Sequence, residues 1–271
     1  MGLLLIPLLI SSMSTFLFDC AVFGPVTSRR FGSSLGVNLL STTSKVCNFD
    51  CIYCECGFSS TRGVGPKFAA LNHVVDALEQ TLSGFALQCR SVDYITFAGN
   101  GEPTLHPHFE QIVDKVIYLK EKLMPGAKVA VLSNATTLHK SSVIRALQRV
   151  DKRVLKLDAG NEDTFQCIDR PLGSTTLSKV CHTLKNVFNG DLSIQSMFLR
   201  GTVNGHRIDN TKENEVKAWI DRLIEIGPSE VMLYSLDRDP AMDTLEKVPG
   251  EELKAIARQL HHHGLLSTVS T

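Results

Sequence analysis

The chain has 271 residues, 28 Lys and Arg against 28 Asp and Glu, and a net charge of zero, which argues against a partner held mainly through neutralised phosphates, because such proteins carry excess base. A hydrophobic fraction of 43% with 21% charged residues suits a sizeable core and excludes a disordered chain. Eight cysteines, four of them inside residues 47–56, exclude an evenly stapled secreted scaffold and point to a metal or catalytic site in a reducing compartment.

The first ten residues, MGLLLIPLLI, are apolar but too short to span a bilayer, which takes about 20 residues. Pro7 interrupts the run, and no basic residue precedes Arg29, so the positive start of a secretory signal is missing. Met13 opens MSTFLFDCAVFGP and reads as a start. Residues 1–18 are therefore expected to be an amino-terminal extension, the leading twelve an upstream stretch of reading frame, and residues 19–271 one core domain. The expected location is the cytoplasm, with no membrane partner.

From Leu35 onward, short β-branched or apolar runs alternate with segments of helical period, the pattern of repeated βα units around a parallel sheet. Six pairs are expected. The strands are Leu35–Leu40, Asp93–Phe97, Lys128–Leu132, Val154–Leu157, Leu192–Phe198 and Glu230–Tyr234. The helices are Val74–Leu82, Phe109–Leu123, Ser141–Val150, Leu177–Phe188, Lys212–Ile226 and Glu251–His263. In the second helix Phe109, Ile112, Val113, Val116, Ile117 and Leu123 form one apolar stripe. The fold class is α/β, a partial (βα)6 TIM-like barrel with parallel strands, and functional loops belong at the carboxyl ends of those strands.

One such loop carries Cys47, Cys51, Cys54 and Cys56. Three thiols at C-x3-C-x2-C spacing can converge on one inorganic centre, and a four-iron cluster normally takes four cysteine thiolates, so three leave one iron with an open position. Zinc held by all four thiolates, in a non-catalytic α/β module, is the alternative, although C-x-C sets its last two ligands very close. Cys20, Cys89, Cys167 and Cys181 show no second such spacing and are read as buried small hydrophobes.

The C-x3-C-x-aromatic-C run, with Tyr53 before Cys54, resembles the signature of the radical S-adenosylmethionine (radical SAM) superfamily. The resemblance implies a [4Fe-4S] cluster on Cys47, Cys51 and Cys54, and S-adenosylmethionine bound through its amine and carboxylate. One electron then breaks a carbon–sulfur bond to give methionine and a 5′-deoxyadenosyl radical, which abstracts a hydrogen from the substrate. It implies an electron donor such as flavodoxin or ferredoxin as well. Tyr53 matches the position near the adenine. Gly99-Asn100-Gly101-Glu102-Pro103 resembles the family's Gly-Gly-Glu-Pro loop for the methionine amine, where glycine allows close backbone approach.

Further along, Ser133 and Asn134 follow the third strand, where the family often places polar groups toward the ribose; otherwise they form a turn or helix cap. Strand alternation puts Lys156 and Asp158 on one face, a buried pair beside the cofactor if that face is the barrel interior, and Gln195 is an interior polar residue of the same kind. Arg29, Arg30 and Arg200 are the cations offered to an anionic substrate. Trp219 reads as helix packing, and His261, His262 and His263 as cations suiting a helix end.

Phe23–Asn38, the cysteine loop and Ile95–Pro107 together are similar to a bacterial branch related to the tRNA wyosine-base synthases. Those enzymes build a tricyclic base from N1-methylguanosine and pyruvate with a second cluster on an amino-terminal cysteine set. Here only Cys20 precedes the motif, so the wyosine-type tRNA reaction stays an alternative, and nucleic acid is argued against without being excluded. A partial barrel leaves a lateral opening that suits a large substrate or one carried by a protein.

Overall fold

The structure, a computed structural model, describes residues 16–59 and 67–271. The expected extension lies outside the described residues up to position 15. In chain order the elements are β1 (Val22–Ser28), β2 (Gly32–Val37), α1 (Leu71–Leu87), β3 (Tyr94–Phe97), α2 (Phe109–Leu123), β4 (Lys128–Ser133), α3 (Ser141–Arg149), β5 (Lys152–Lys156), α4 (Glu162–Ile168), α5 (Leu177–Val187), β6 (Ser193–Val203), β7 (His206–Asp209), α6 (Glu213–Ile226), β8 (Glu230–Ser235), β9 (Leu245–Lys247), α7 (Gly250–His262) and β10 (Ser267–Ser270).

Strands β2, β3, β4, β5, β6, β8 and β10 are neighbours in that order, every pair parallel. Successive parallel strands need a crossover, and the helices supply it on one side of the sheet. The sheet curls into a partial barrel. Its outer face, with Leu35, Val37, Ile95, Phe97, Val129, Val131, Leu155 and Ile194, shares the main core with the helices. Alternate residues turn inward, where Ala130, Val154 and Met232 pack with Phe31 in a small separate cluster.

Apolar spacing explains the helices. In α1 Val74, Leu78, Leu82 and Phe85 are buried, and in α2 Phe109, Ile112, Val113, Val116 and Leu119, a stripe on one face in each case. Trp219 of α6 stacks edge-on against Phe198 of β6 at 5.1 Å and donates its indole N–H to the Leu157 carbonyl at 3.0 Å. Gly227 ends α6 in the left-handed region, φ 63°, its N–H returning to the Leu223 carbonyl.

All six expected strands and six expected helices are present, with ends shifted by a few residues. Strand β1, paired antiparallel with β2, and three further features go beyond them. The last parallel strand, β10, is four residues long with Val269 its one apolar residue; α4 is seven residues long, too brief for a helical period. The long β6 runs past the barrel and carries β7 and β9 antiparallel on its end. The scattered cysteines also differ from expectation: only Cys181 is buried, Cys167 is half-buried, and Cys20 and Cys89 are exposed because they lie on a bend before β1 and in the loop after α1. No helix among the described residues is long and apolar enough to cross a membrane.

Hairpin β1–β2 bounds one edge of the sheet. Its turn brings Arg30 to Gln195 of β6, on the far side of the barrel, as a hydrogen-bond donor. The Arg30 guanidinium also lies 4.9 Å from the centroid of the Tyr234 ring.

Candidate functional site

At the carboxyl end of β2 the chain enters the cysteine loop, which is stitched to the segment after α4. Ile52 N–H donates to the Ile168 carbonyl at 2.9 Å and Asp50 N–H to that of Arg170 at 3.0 Å, while the Asn48 carbonyl accepts from Leu172 N–H at 2.8 Å. Phe49 and Ile52 are the buried anchors. Around these ties Cys47, Cys51, Cys54 and Cys56 all line one cavity of about 160 Å³, together with Lys45, Tyr53, Gly99, Gly101, Glu102, Ser133, Asn134, Lys156 and Gln195. None of the cysteines is in a disulfide.

The cysteine loop and the 99–103 loop meet at Val46. Its N–H donates to the Asn100 carbonyl at 2.8 Å and its carbonyl accepts Glu102 N–H at 3.0 Å. A Cβ on Gly101, φ 138°, would lie 2.0 Å from the Val46 carbonyl oxygen, so that pairing requires glycine. Asn100 is fully buried and its amide turns away from the cavity: it donates to the Phe18 and Ser41 carbonyls, both at 2.8 Å, and accepts Phe18 N–H at 2.9 Å. Asparagine here ties residue 18 to the loop, and its main chain faces Val46.

Glu102 is buried, and its carboxylate accepts from Thr104 N–H at 3.1 Å, Ser133 Oγ at 2.9 Å and Asn134 N–H at 2.6 Å. Burial still outweighs these bonds and raises its pKa. Asn134 in turn donates to Asn48 Oδ1 at 2.8 Å and to Cys47 Sγ at 3.8 Å. Phe49 N–H also points at Cys47 Sγ, at 3.4 Å. Pro103 opens a short 3₁₀ turn over Pro103–Leu105.

Lys156 and Asp158 lie on the interior face and form an ion pair at 2.9 Å. The Tyr53 hydroxyl donates to the Asp158 carboxylate and accepts from Lys156. Asp169, at the end of α4, stands 3.6 Å from Lys156 and accepts from Cys51 Sγ at 3.5 Å. Burial opposes the Lys156 charge, but Asp158, Cys51 and Asp169 outweigh it and hold its pKa well above the usual lysine value. Burial beside Asp158 pushes the Asp169 carboxyl up.

Lys45 lines the same cavity as the cysteines and Lys156. Its ammonium donates to the Gly57 carbonyl at 3.0 Å and to Asp50 at 3.3 Å, and its side chain is 2% exposed. Burial pushes the Cys47 thiol up to about 12, whereas a hydrogen bond from Cys56 and, after the opposing cost of burial, the Lys45 charge bring Cys54 down to about 6. Cys56 rises for the same reason Cys54 falls, and its Sγ lies 3.7 Å from the Gly99 carbonyl. Lys45 and Asp169 were not picked out by sequence reasoning. Two residues before the first cysteine was the available signal for Lys45; nothing local marks Asp169.

Arg29 and Arg30 line one cavity with Asp237 and Glu55, and the three arginines differ in their partners. Arg29 pairs with Asp237 at 3.5 Å. Arg200 pairs with Glu252 and lies 3.8 Å from Asp209, on the β6–β7 ribbon. Arg30 makes no ion pair among the described residues and lines a cavity of about 310 Å³ with Phe18, Phe23, Thr96 and Gly99. Gly99 and Leu132 line both cavities, so the two adjoin.

The comparisons accord with this geometry. A model of the Radical SAM superfamily matches residues 41–213, and the chain belongs to that superfamily. A UPF0026 protein of Helicobacter pylori strain J99 is 30% identical over 86% of this chain and 71% of its own length. A radical SAM methyltransferase from Sphaerobacter thermophilus has a similar fold, with TM-score 0.63 at 15% identity over 87% of this chain, which spans 65% of that enzyme. A structure of TYW1 with a lysine-pyruvate adduct bound gives TM-score 0.59 at 14% identity, covering 84% of this chain and 73% of that one. These likenesses carry the fold, a partial barrel of the radical SAM kind. The superfamily match makes the protein an enzyme of the class that cleaves S-adenosylmethionine by radical chemistry.

Proposed function

We propose that the protein reductively cleaves S-adenosylmethionine at a [4Fe-4S] cluster held by Cys47, Cys51 and Cys54, and uses the resulting radical to abstract hydrogen from an anionic substrate. The observation that carries this reading is the single cavity shared by those thiols and the Gly99–Glu102 loop. The donor set fits the group: free thiols, N–H donors aimed at Cys47, and a buried ammonium beside them.

When bound, the cluster supplies one electron to the sulfonium and generates the 5′-deoxyadenosyl radical. The chain's own part is to position and seal. Backbone carbonyls of Gly99 and Gly101 would receive the methionine amine, and Glu102 holds that loop to Ser133 and Asn134. Tyr53, locked by Lys156 and Asp158, would border the adenosyl group, and Gln195 lines the same cavity. Arg30, the cation without a carboxylate partner among the described residues, holds the anionic group of the substrate in the adjoining cavity; Arg29 and Arg200 are already neutralised. An external low-potential donor of the flavodoxin or ferredoxin kind delivers the electron.

Anaerobic reconstitution with iron and sulfide tests the reading. Expected are a brown protein with about four irons and release of methionine and 5′-deoxyadenosine on reduction with dithionite. A colourless protein holding one zinc overturns it. Retention of tRNA at physiological salt with modification of a guanosine would instead support the wyosine-related branch.

A further inference from the structure

We propose that Lys45 sets the reduction potential of the cluster by holding a fixed positive charge against Cys47, Cys51 and Cys54. The proposal rests on the cluster reading above. Two ammonium groups border the thiols, and they differ in what else they face. Lys156 lies between two carboxylates, Asp158 at 2.9 Å and Asp169 at 3.6 Å, so its charge is already compensated. Among the described residues Lys45 faces one, Asp50 at 3.3 Å, and that carboxylate also accepts Ser59 N–H at 2.8 Å. The other Lys45 partner is a neutral carbonyl, Gly57.

Lys45 cannot swing away from the thiols. Its side chain is buried, and the next residue, Val46, is held from both sides by the 99–103 loop. Reduction adds one electron from an external donor and breaks no bond, so its chemical consequence at this position is one more negative charge. A buried cation nearby favours the more negative state, and the low local dielectric keeps the effect large. Charge and hydrogen bonding around the sulfurs are the means by which proteins tune such clusters. The same charge serves the reaction, since an easier first reduction lets a weaker donor load the site.

An electron paramagnetic resonance titration against dithionite and mediators, on reconstituted protein without S-adenosylmethionine, reads the potential directly. Lys45→Met should raise the oxidised-to-reduced ratio at fixed poise about tenfold, a move of 59 mV to more negative potential for one electron. Lys45→Arg keeps the charge and should stay within about twofold of wild type. Asp50→Asn removes the partly opposing charge and should move the midpoint the other way. Midpoints for Lys45→Met and Asp50→Asn that both match wild type at equal iron content overturn the proposal and leave Lys45 a tie to Gly57. If Lys45→Met fails to retain iron, Asp50→Asn decides alone: no positive shift overturns it. A wild-type protein that takes up no iron and sulfide overturns the underlying cluster reading, and this proposal with it.

Discussion

The carboxylate of Glu102 accepts the backbone N–H of Asn134 at 2.6 Å, joining the loop after β3 to the end of β4. The same carboxylate accepts Ser133 Oγ and Thr104 N–H, so one buried side chain fixes the relative position of two strand ends. Each buried donor left without an acceptor costs about 1–3 kcal/mol. Glu102→Ala strands several at once and should lower stability by about 3 kcal/mol, with Glu102→Gln losing about half as much. Urea titrations at neutral pH check this; midpoints equal to wild type would show that the carboxylate does not hold the two ends together.

Gly101 has a narrower role. An added methyl would meet the Val46 carbonyl oxygen at 2.0 Å and its carbon at 2.5 Å, and both belong to the backbone that carries Cys47. Gly101→Ala should therefore cost about 4 kcal/mol or prevent folding altogether. At Gly173, φ 88°, an added methyl would have no neighbour within 4 Å among the described residues, so Gly173→Ala should cost only the left-handed strain, about 1–2 kcal/mol. Thermal midpoints of the two variants separate contact from conformation. Similar losses in both would mean that φ alone matters at position 101.

The partition of the four loop cysteines can be read from iron content. Cys51→Ala should abolish iron uptake on reconstitution, whereas Cys56→Ala should keep the wild-type complement, because Cys56 Sγ turns to the Gly99 carbonyl at 3.7 Å and lies outside the C-x3-C-x2-C spacing. Loss of all metal in Cys56→Ala would restore the four-thiolate zinc site.

Much of this architecture was legible in the chain because parallel strands and their helices write themselves as local periodicities. Alternation alone put Lys156 and Asp158 on one face, and they form a pair. What escaped depends on contacts between distant segments. Asp169 reaches Cys51 across 118 positions, and Asn100 spends its amide on Phe18 across 82, neither of which leaves a local pattern. The arginines show the same limit. Arg29, Arg30 and Arg200 are equivalent as sequence, and only the carboxylates of Asp237, Asp209 and Glu252, brought in from elsewhere in the chain, set Arg29 and Arg200 apart from Arg30.

His106 gives the fold a predictable response to acid. It lies just beyond the 99–103 loop, buried against the Phe68 ring at 5.3 Å, with Nε2 bonded to the Ala69 carbonyl at 2.8 Å and Nδ1 accepting His108 N–H at 3.1 Å. The carbonyl fixes the tautomer, with the proton on Nε2, so a second proton on Nδ1 would displace the His108 bond. Burial lowers its pKa, and the neighbouring His108 acts in the same direction, against a smaller raising effect of the Ala69 bond. In the unfolded chain the imidazole titrates near its ordinary value, about 6.5. Above that pH both states are neutral and the group contributes no pH dependence. As the pH falls through about 6.5 the unfolded state binds the proton first, so stability declines until the folded pKa is passed. His106→Gln keeps a donor for Ala69 and cannot titrate. Urea midpoints measured from about pH 7.5 to 5.0 should therefore fall less steeply in His106→Gln than in wild type. Parallel slopes for the two proteins would mean that His106 takes up its proton as readily when folded, and that its burial against Phe68 carries no cost for the charged form.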